Sequence, residues 1–310
     1  MLTVFGSINM DLIMQVPELP KPGETVLTDR YVTKPGGKGA NQAVAAARSG
    51  GQVAMVGAVG PDGYGESLLR TLKDDGVDIS AISTSEDPTG IAYICVDHAA
   101  ENFIAVASGA NRSPTADQLG NDALAKGNTL LMQMEIPPEQ NWRAIERAAS
   151  LGARTILNVA PAGIVPPESL ALLDILIVNE HEARTVARSA ELSNAPPEQP
   201  IAALAGTLST SFGLTCIVTV GSQGAIVSQG TQTYRVPALP IEPVDTTGAG
   251  DAFCGILAAG LDAGLDLPLA LDRAVAGSAL ACLALGAQES LPTVQAIDQV
   301  VNKVLPPVAL

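Results

Sequence analysis

The sequence predicts an α/β sandwich on a largely parallel sheet, with a second, smaller sheet beside it as a lid. Two observations carry this expectation. Short β-branched apolar runs alternate with longer Ala- and Leu-rich segments, which is the pattern of β-α-β units. Two extended stretches, 12–32 and 91–107, interrupt that alternation and supply strands for a separate sheet.

In chain order, strands are predicted at 2–5, 53–57, 129–134, 155–158, 175–178 and 216–220, each an apolar run of strand length bounded by turn residues. Helices are predicted at 40–48, 66–74, 139–150, 180–188, 201–212 and 252–261. The stretch 12–32 is extended because Pro17, Pro20 and Pro22 forbid a helix there. Runs 91–97 and 102–107 follow one another through His98-Ala99-Ala100-Glu101 with no helix between them, so they read as a hairpin. No repeat, low-complexity tract or linker divides the chain, and Ala195-Pro196-Pro197 is a loop. Residues 1–310 are therefore expected to form one domain carrying both lid insertions.

Composition narrows the function. With 310 residues, 47% hydrophobic and 16% charged, disorder, collagen and coiled coil are excluded. The net charge of -15 opposes binding to nucleic acid or an anionic membrane. A local nest of backbone N–H groups could still hold a phosphate at short range. Cys95, Cys216, Cys254 and Cys282 are scattered in apolar surroundings with no C-x-x-C, which fits buried reduced thiols. Residues 1–20 hold no Lys or Arg, and the apolar run 274–288 is too short to span a bilayer. A soluble, cytoplasmic protein is expected.

The strongest chemical signal is Val244-Asp245-Thr246-Thr247-Gly248-Ala249-Gly250-Asp251, opening directly into an apolar helix. Small residues there let backbone N–H groups converge on an oxyanion at a positive helix end. Asp251 then stands where a carboxylate could take a proton from a hydroxyl, or where it could simply cap the helix. A second cluster, Pro35-Gly36-Gly37-Lys38-Gly39-Ala40-Asn41-Gln42, also opens a helix. It is neither a P-loop nor a dinucleotide fingerprint. It is either a tight turn or a close approach to a small polar ligand, with Lys38 and Asn41 as the hydrogen-bonding side chains.

Other polar clusters follow strand ends, and hence fall at the ligand edge of an open α/β sheet. They are Asn9 and Asp11 in Gly6-Ser7-Ile8-Asn9-Met10-Asp11, then Glu135, then Asn179-Glu180-His181-Glu182, and the turn Thr219-Val220-Gly221-Ser222-Gln223-Gly224. Their coincidence at one edge argues for a single large site. His98 and His181 are the only histidines and do not lie at metal-ligand spacing, so Mg²⁺ held by phosphates and an acid such as Glu182 fits better than a transition metal. No Gly-x-Ser-x-Gly elbow is present.

Gly6 to Asp11, Pro22-Gly23-Glu24-Thr25, Gly36 to Ala43 and Asp245 to Asp251, in this order and spacing, resemble the ribokinase/PfkB family of sugar kinases almost end to end. The Gly-Lys-Gly-Ala-Asn-Gln form is more similar to the ribokinase branch than to the fructokinase or adenosine kinase branches. The resemblance implies a ribokinase-like three-layer α/β/α sandwich whose β lid also joins two subunits into a homodimer. It implies transfer of the ATP γ-phosphoryl group to the 5-hydroxyl of D-ribose. Asp251 is then the base, and the N–H groups of Gly248, Ala249 and Gly250 form the anion hole. Asn9, Asp11, Gly37, Lys38, Asn41 and Glu135 hold the sugar.

The same resemblance assigns ATP to Asn179, Gly250 and the turn Thr219, Val220, Gly221, Ser222, Gln223 and Gly224. Mg²⁺ falls to Glu182 through water. A K⁺ activator falls to oxygens of Asp245, Thr247, Ala281, Ala284, Gly286 and Ser290. Two departures stand out: Glu289 occupies a position where the family commonly has proline, and Val275, near the adenine, offers no side-chain hydrogen bond. The implied alternatives are a kinase of another pentose, a deoxysugar or a nucleoside, or a non-catalytic sugar-binding regulator.

Overall fold

Apolar runs buried on both faces form the centre of the molecule. Along β1 (Leu2–Phe5), Leu2 and Val4 face one core while Phe5 faces another, because helices cover the sheet on each side. The computed structural model describes residues 1–99, 101–192 and 198–310. Ala195-Pro196-Pro197, predicted as a loop, and Ala100 of the predicted hairpin turn lie outside the described residues.

After β1 come β2 (Asn9–Gln15), β3 (Tyr31–Gly36), α1 (Lys38–Arg48), β4 (Val53–Val59), α2 (Gly63–Asp74), β5 (Asp78–Thr84), β6 (Gly90–Val96) and β7 (Asn102–Ala107). The middle of the chain supplies β8 (Thr129–Met132), α3 (Pro138–Leu151), β9 (Arg154–Asn158), α4 (Pro167–Leu170), β10 (Ile175–Asn179), α5 (Glu180–Ser189) and α6 (Ile201–Phe212). The last part holds β11 (Thr215–Thr219), β12 (Ala225–Gln229), β13 (Gln232–Val236), α7 (Ala249–Asp262), α8 (Leu267–Ala281), α9 (Val294–Val300) and β14 (Val308–Ala309).

The large sheet has ten strands in the order β14-β13-β12-β11-β10-β9-β8-β1-β4-β5. It is parallel from β5 through β11, and its β12–β14 edge is antiparallel. Side chains of α1, α2, α7, α8 and α9 fill one face, and those of α3, α4, α5 and α6 fill the other. The expected three layers are therefore present. No helix among the described residues is long and apolar enough to cross a membrane.

The second sheet has four strands in the order β3-β2-β6-β7, made from the two stretches that interrupt the α/β alternation. Strands β6 and β7 form the expected hairpin. The extended stretch 12–32 proves to be the ends of two paired strands joined by irregular chain, with β2 starting earlier, at Asn9. The strand predicted at 129–134 stops at Met132, where its pairing with β1 and β9 ends, and the Gln133 side chain beyond it hydrogen-bonds Gln42.

Candidate active site

Because β1, β8, β9, β10 and β11 run parallel, their carboxyl ends share one edge, and the polar clusters predicted there do meet. The centre is Asp251, in the first turn of α7 and only 7% exposed. Its Oδ2 accepts from Asn41 Nδ2 at 2.9 Å and its Oδ1 from Gln42 Nε2 at 2.9 Å. Both donors lie on α1. Gly255, one turn beyond Asp251, lets the two helices come this close, since a Cβ there would strike the Gln42 carbonyl oxygen.

On one side of Asp251 lie residues of the small sheet and of the α1 entry. Gly37 has φ +88°, and a Cβ on it would sit 2.7 Å from Asn9 N, so glycine alone suits this turn. Glu135 Oε2 accepts from the Lys38 N–H at 3.0 Å and from Ser7 Oγ at 2.6 Å. Asn9 Oδ1 accepts from Asn111 Nδ2 at 2.6 Å, and Asp11 lies against the bare Cα of Gly36. Burial, reinforced by the carboxylates of Glu135 and Asp251, pushes Asp11 up to about 7. The Asp251 carboxylate, against burial and with help from Glu135, pushes the Lys38 ammonium upward, so it stays charged. These six groups converge as expected.

On the other side is a cavity of about 320 Å³ with Thr219, Gly221, Ser222, Gly224 and Gly250 in its wall. Val220 and Gln223 of the same turn do not line it. Asn179 pairs with Thr219 across adjacent strands, but its side chain is drawn into the start of α5, accepting from Glu182 N at 2.8 Å. Glu182 Oε2 in return accepts from Asn179 N at 2.7 Å, a capping box. Burial pushes Glu182 upward, with the Asn179 N–H and Lys38 opposing. Between the two sides, Thr246 O accepts from Ala249 N at 3.2 Å across a turn that needs the left-handed φ of +77° at Gly248.

Beside this turn, the Asp245 carboxylate accepts from Thr247 N and Gly286 N, each at 2.9 Å. Burial pushes Asp245 up, but the N–H groups of Gly286 and Thr247 outweigh it and hold the acid below its ordinary range. Ser290 Oγ donates to Ala287 O at 3.1 Å in the same loop, which follows Ala281 at the end of α8 and includes Ala284. The Asp245 carboxylate and the Ser290 hydroxyl supply oxygens here, while Lys34 meets the same loop at Glu289. No group of three or more His, Cys, Asp or Glu side chains among the described residues could hold a metal ion.

A model of the pfkB family of carbohydrate kinases matches residues 1–294. The chain belongs to this family. The PfkB kinase is 36% identical over 297 residues to the ribokinase of Haemophilus influenzae, covering 95% of this chain and 96% of that protein. It superposes on the ribokinase of Thermotoga maritima with a TM-score of 0.89 at 29% identity, covering 97% of this chain and 99% of that one. The ribokinase of Arabidopsis thaliana complexed with ribose and ATP gives 0.86 at 30% identity, covering 97% and 98%. The chain is thus an ATP-dependent sugar kinase of the ribokinase family.

Several polar groups of this PfkB kinase site were not singled out from the sequence. Ser7 and Asn111 brace Glu135 and Asn9, and a Cβ on Gly90 would strike both Asn9 and Asn111. Gln133 and Gln288 reach Asp251 through Gln42 and Asn41. Ile241, Pro243 and Phe253 line the cavity beside Gly250 with Val275. The only local signals were glycines and amides beside strand ends, which do not reveal partners more than 90 residues away along the chain.

Proposed function

We propose that this PfkB kinase transfers the γ-phosphoryl group of ATP to the 5-hydroxyl of D-ribose, giving D-ribose 5-phosphate and ADP. The observation that carries the reading is the position of Asp251, at a helix N-terminus between a carboxylate- and amide-rich sugar side and a cavity walled by Gly250. Asp251 takes the hydroxyl proton as O5 bonds to the γ-phosphorus and the bond to the ADP oxygen breaks. The N–H groups of Gly248, Ala249 and Gly250 face the charge that develops on the transferred group. The Ala249 N–H turns from Thr246 O to do so.

Asn9, Asp11, Lys38, Asn41 and Glu135, with the Gly37 backbone, hold the remaining hydroxyls. Thr219, Gly221, Ser222 and Gly224 hold the nucleotide, Val220, Gln223 and Asn179 shape its turn, and Val275 packs apolar surface on adenine. Glu182 would hold Mg²⁺ through water, a single carboxylate being the protein share that such an ion takes beside phosphates, and the ion would offset phosphate charge. A K⁺ ion suits the oxygen-only donors of Asp245, Thr247, Ala281, Ala284, Gly286 and Ser290.

The chain acts as one kinase domain over residues 1–310, with the small sheet as its lid. It pairs as a homodimer through that sheet, whose Tyr93, Phe103 and Ile104 are exposed. Four free cysteines fit a reducing cytoplasm.

One observation favours a larger substrate: a second cavity of about 320 Å³ lined by Ser108, Asn111, Arg112 and Glu135 extends the sugar side and has room for a nucleoside base. Coupled ADP release over ribose, deoxyribose, arabinose, xylose, fructose and adenosine tests both readings. Dominant ribose turnover supports the first, and dominant adenosine turnover replaces it with the second. Asp251→Asn is expected to lower kcat by about 10²- to 10⁴-fold with ribose binding retained. Near-normal turnover in that variant removes Asp251 from the role of base.

A further inference from the structure

We propose that Gln42 and Gln133, mirrored by Asn41 and Gln288, are positioning residues that fix the direction of the Asp251 carboxylate by donating to both of its oxygens. This rests on the reading of Asp251 as the base. An ionised carboxylate only accepts hydrogen bonds, so Gln42 must present Nε2 to Oδ1 and Asn41 must present Nδ2 to Oδ2, both at 2.9 Å. Each amide then turns its carbonyl oxygen outward to the next donor. Gln133 Nε2 reaches Gln42 Oε1 at 2.7 Å, and Gln288 Nε2 reaches Asn41 Oδ1 at 3.0 Å. Both relays therefore point their donors inward.

Each relay ends in the same way. Gln133 Oε1 and Gln288 Oε1 are buried and have no hydrogen-bond partner among the described residues. Both orphan acceptors lie at the outer ends of relays whose donors point toward Asp251. A protonated Asp251 could donate, and either relay could then reverse. A separate anchor opposes that reversal: Gln42 Nε2 also donates to Asn158 Oδ1 at 3.0 Å, and Asn158 Nδ2 in turn donates to the Ile177 carbonyl at 3.2 Å. Lys38 on α1, Asp11 on β2, Cys254 on α7, Glu135 after β8 and Glu182 on α5 are the titratable groups around the Asp251–Lys38 pair. None of them is hydrogen-bonded to the Asp251 carboxylate.

The test compares Gln42→Met, Gln42→Glu, Gln133→Met and Asp251→Asn in the intact chain, reading kcat, both KM values and the pH dependence of kcat/KM. Removing a donor from the charged form favours its protonated form, so Gln42→Met should move the acid limb up by about 0.5 to 1 pH unit. It should also lower kcat by about 10- to 100-fold with sugar and ATP KM within about threefold. Gln42→Glu sets a second carboxylate beside the first and should move the limb further, by more than ~1 unit. Gln133→Met lies one amide away, should shift the limb in the same direction by less, and carries the test if Gln42→Met does not fold. A wild-type acid limb in the folded variants, or a raised KM at unchanged kcat, overturns the inference. If Asp251→Asn itself stays active, the reading of the base has failed instead.

Discussion

Lys34 Nζ on β3 lies 2.7 Å from the carboxylate of Glu289, so an ion pair ties the small sheet to the loop that also carries Gly286. The pair is 31% and 44% exposed, and such pairs add only about 0 to 1 kcal/mol to stability. Its effect should appear in substrate binding. Glu289→Ala is expected to change stability in urea by less than ~1 kcal/mol while raising the sugar KM by on the order of threefold. High salt, where screening acts within ~3 Å, should produce the same rise in the wild type and none in the variant. An unchanged KM in the variant would mean that the pair does not govern the sheet.

The buried Asp11 links stability to pH. Its carboxyl titrates at about 7 in the fold, pushed up by burial and then by Glu135 and Asp251, against ~3.9 in an unfolded chain. Between those values the native state keeps a proton that the unfolded state has lost. Stability attributable to this group therefore falls as pH rises from ~4 to about 7 and is level above, by at most ~4 kcal/mol. Asp11→Asn should flatten that decline and be the more stable protein at pH 8, while its sugar KM rises. Urea unfolding at several pH values checks this; parallel pH profiles for the two proteins would contradict it.

Gly39→Ala should destabilise through backbone contacts that cannot yield. An added Cβ would lie 2.6 Å from Ser7 N and 2.7 Å from Gly6 C, where α1 docks on the end of β1. A cost of about 1 to 3 kcal/mol or more is expected, read as a lowered Tm. Gly63→Ala at the start of α2 meets nothing within 4 Å and should be neutral or slightly stabilising. Equal Tm values for the two variants would refute the packing argument.

The Asp245 carboxyl is held below its usual range, so it stays ionised at and above neutral pH. Rate enhancement by K⁺ over Na⁺ should accordingly persist from neutral to alkaline pH and vanish in Asp245→Asn. ADP release in each salt measures it. A K⁺ response retained by the variant would move the cation elsewhere.

Much of the fold was legible because buried parallel strands are continuous apolar runs, and β1, β9, β10 and β11 fall within a residue or so of their expected bounds. Strand β5 was not, since Asp78–Thr84 is short of apolar residues and breaks alternation at Ala81-Ile82 and Ser83-Thr84, so it shows no clear strand pattern. Helix α8 escaped for the opposite reason: Leu267–Ala281 is apolar nearly all round, so it shows no amphipathic face. The antiparallel edge β12–β14 is built of short strands with mixed polarity.

In the site, the sheet-edge rule located Asn9, Glu135, Asn179 and Thr219, and the glycine clusters located Lys38, Asn41 and Asp251. Their connections were not visible, because the Asn41–Asp251 hydrogen bond spans 210 residues of chain. Helix-to-helix approach at Gly255 creates it, and a lone glycine inside an apolar helix carries no mark of its neighbour.

The small sheet has a consequence for engineering. Its central pairing, β2 with β6, is parallel and joins Asn9 to Gly90, with β3, α1, β4, α2 and β5 lying between the two strands in the chain. No single excised fragment contains the small sheet without a large part of the main body. Moving the small sheet between such kinases is therefore a transplant of three separate segments, 9–15, 31–36 and 90–107, whose edges must be stitched in register at once. A graft of the β6–β7 hairpin alone would bring new side chains but leave them paired to a foreign neighbour.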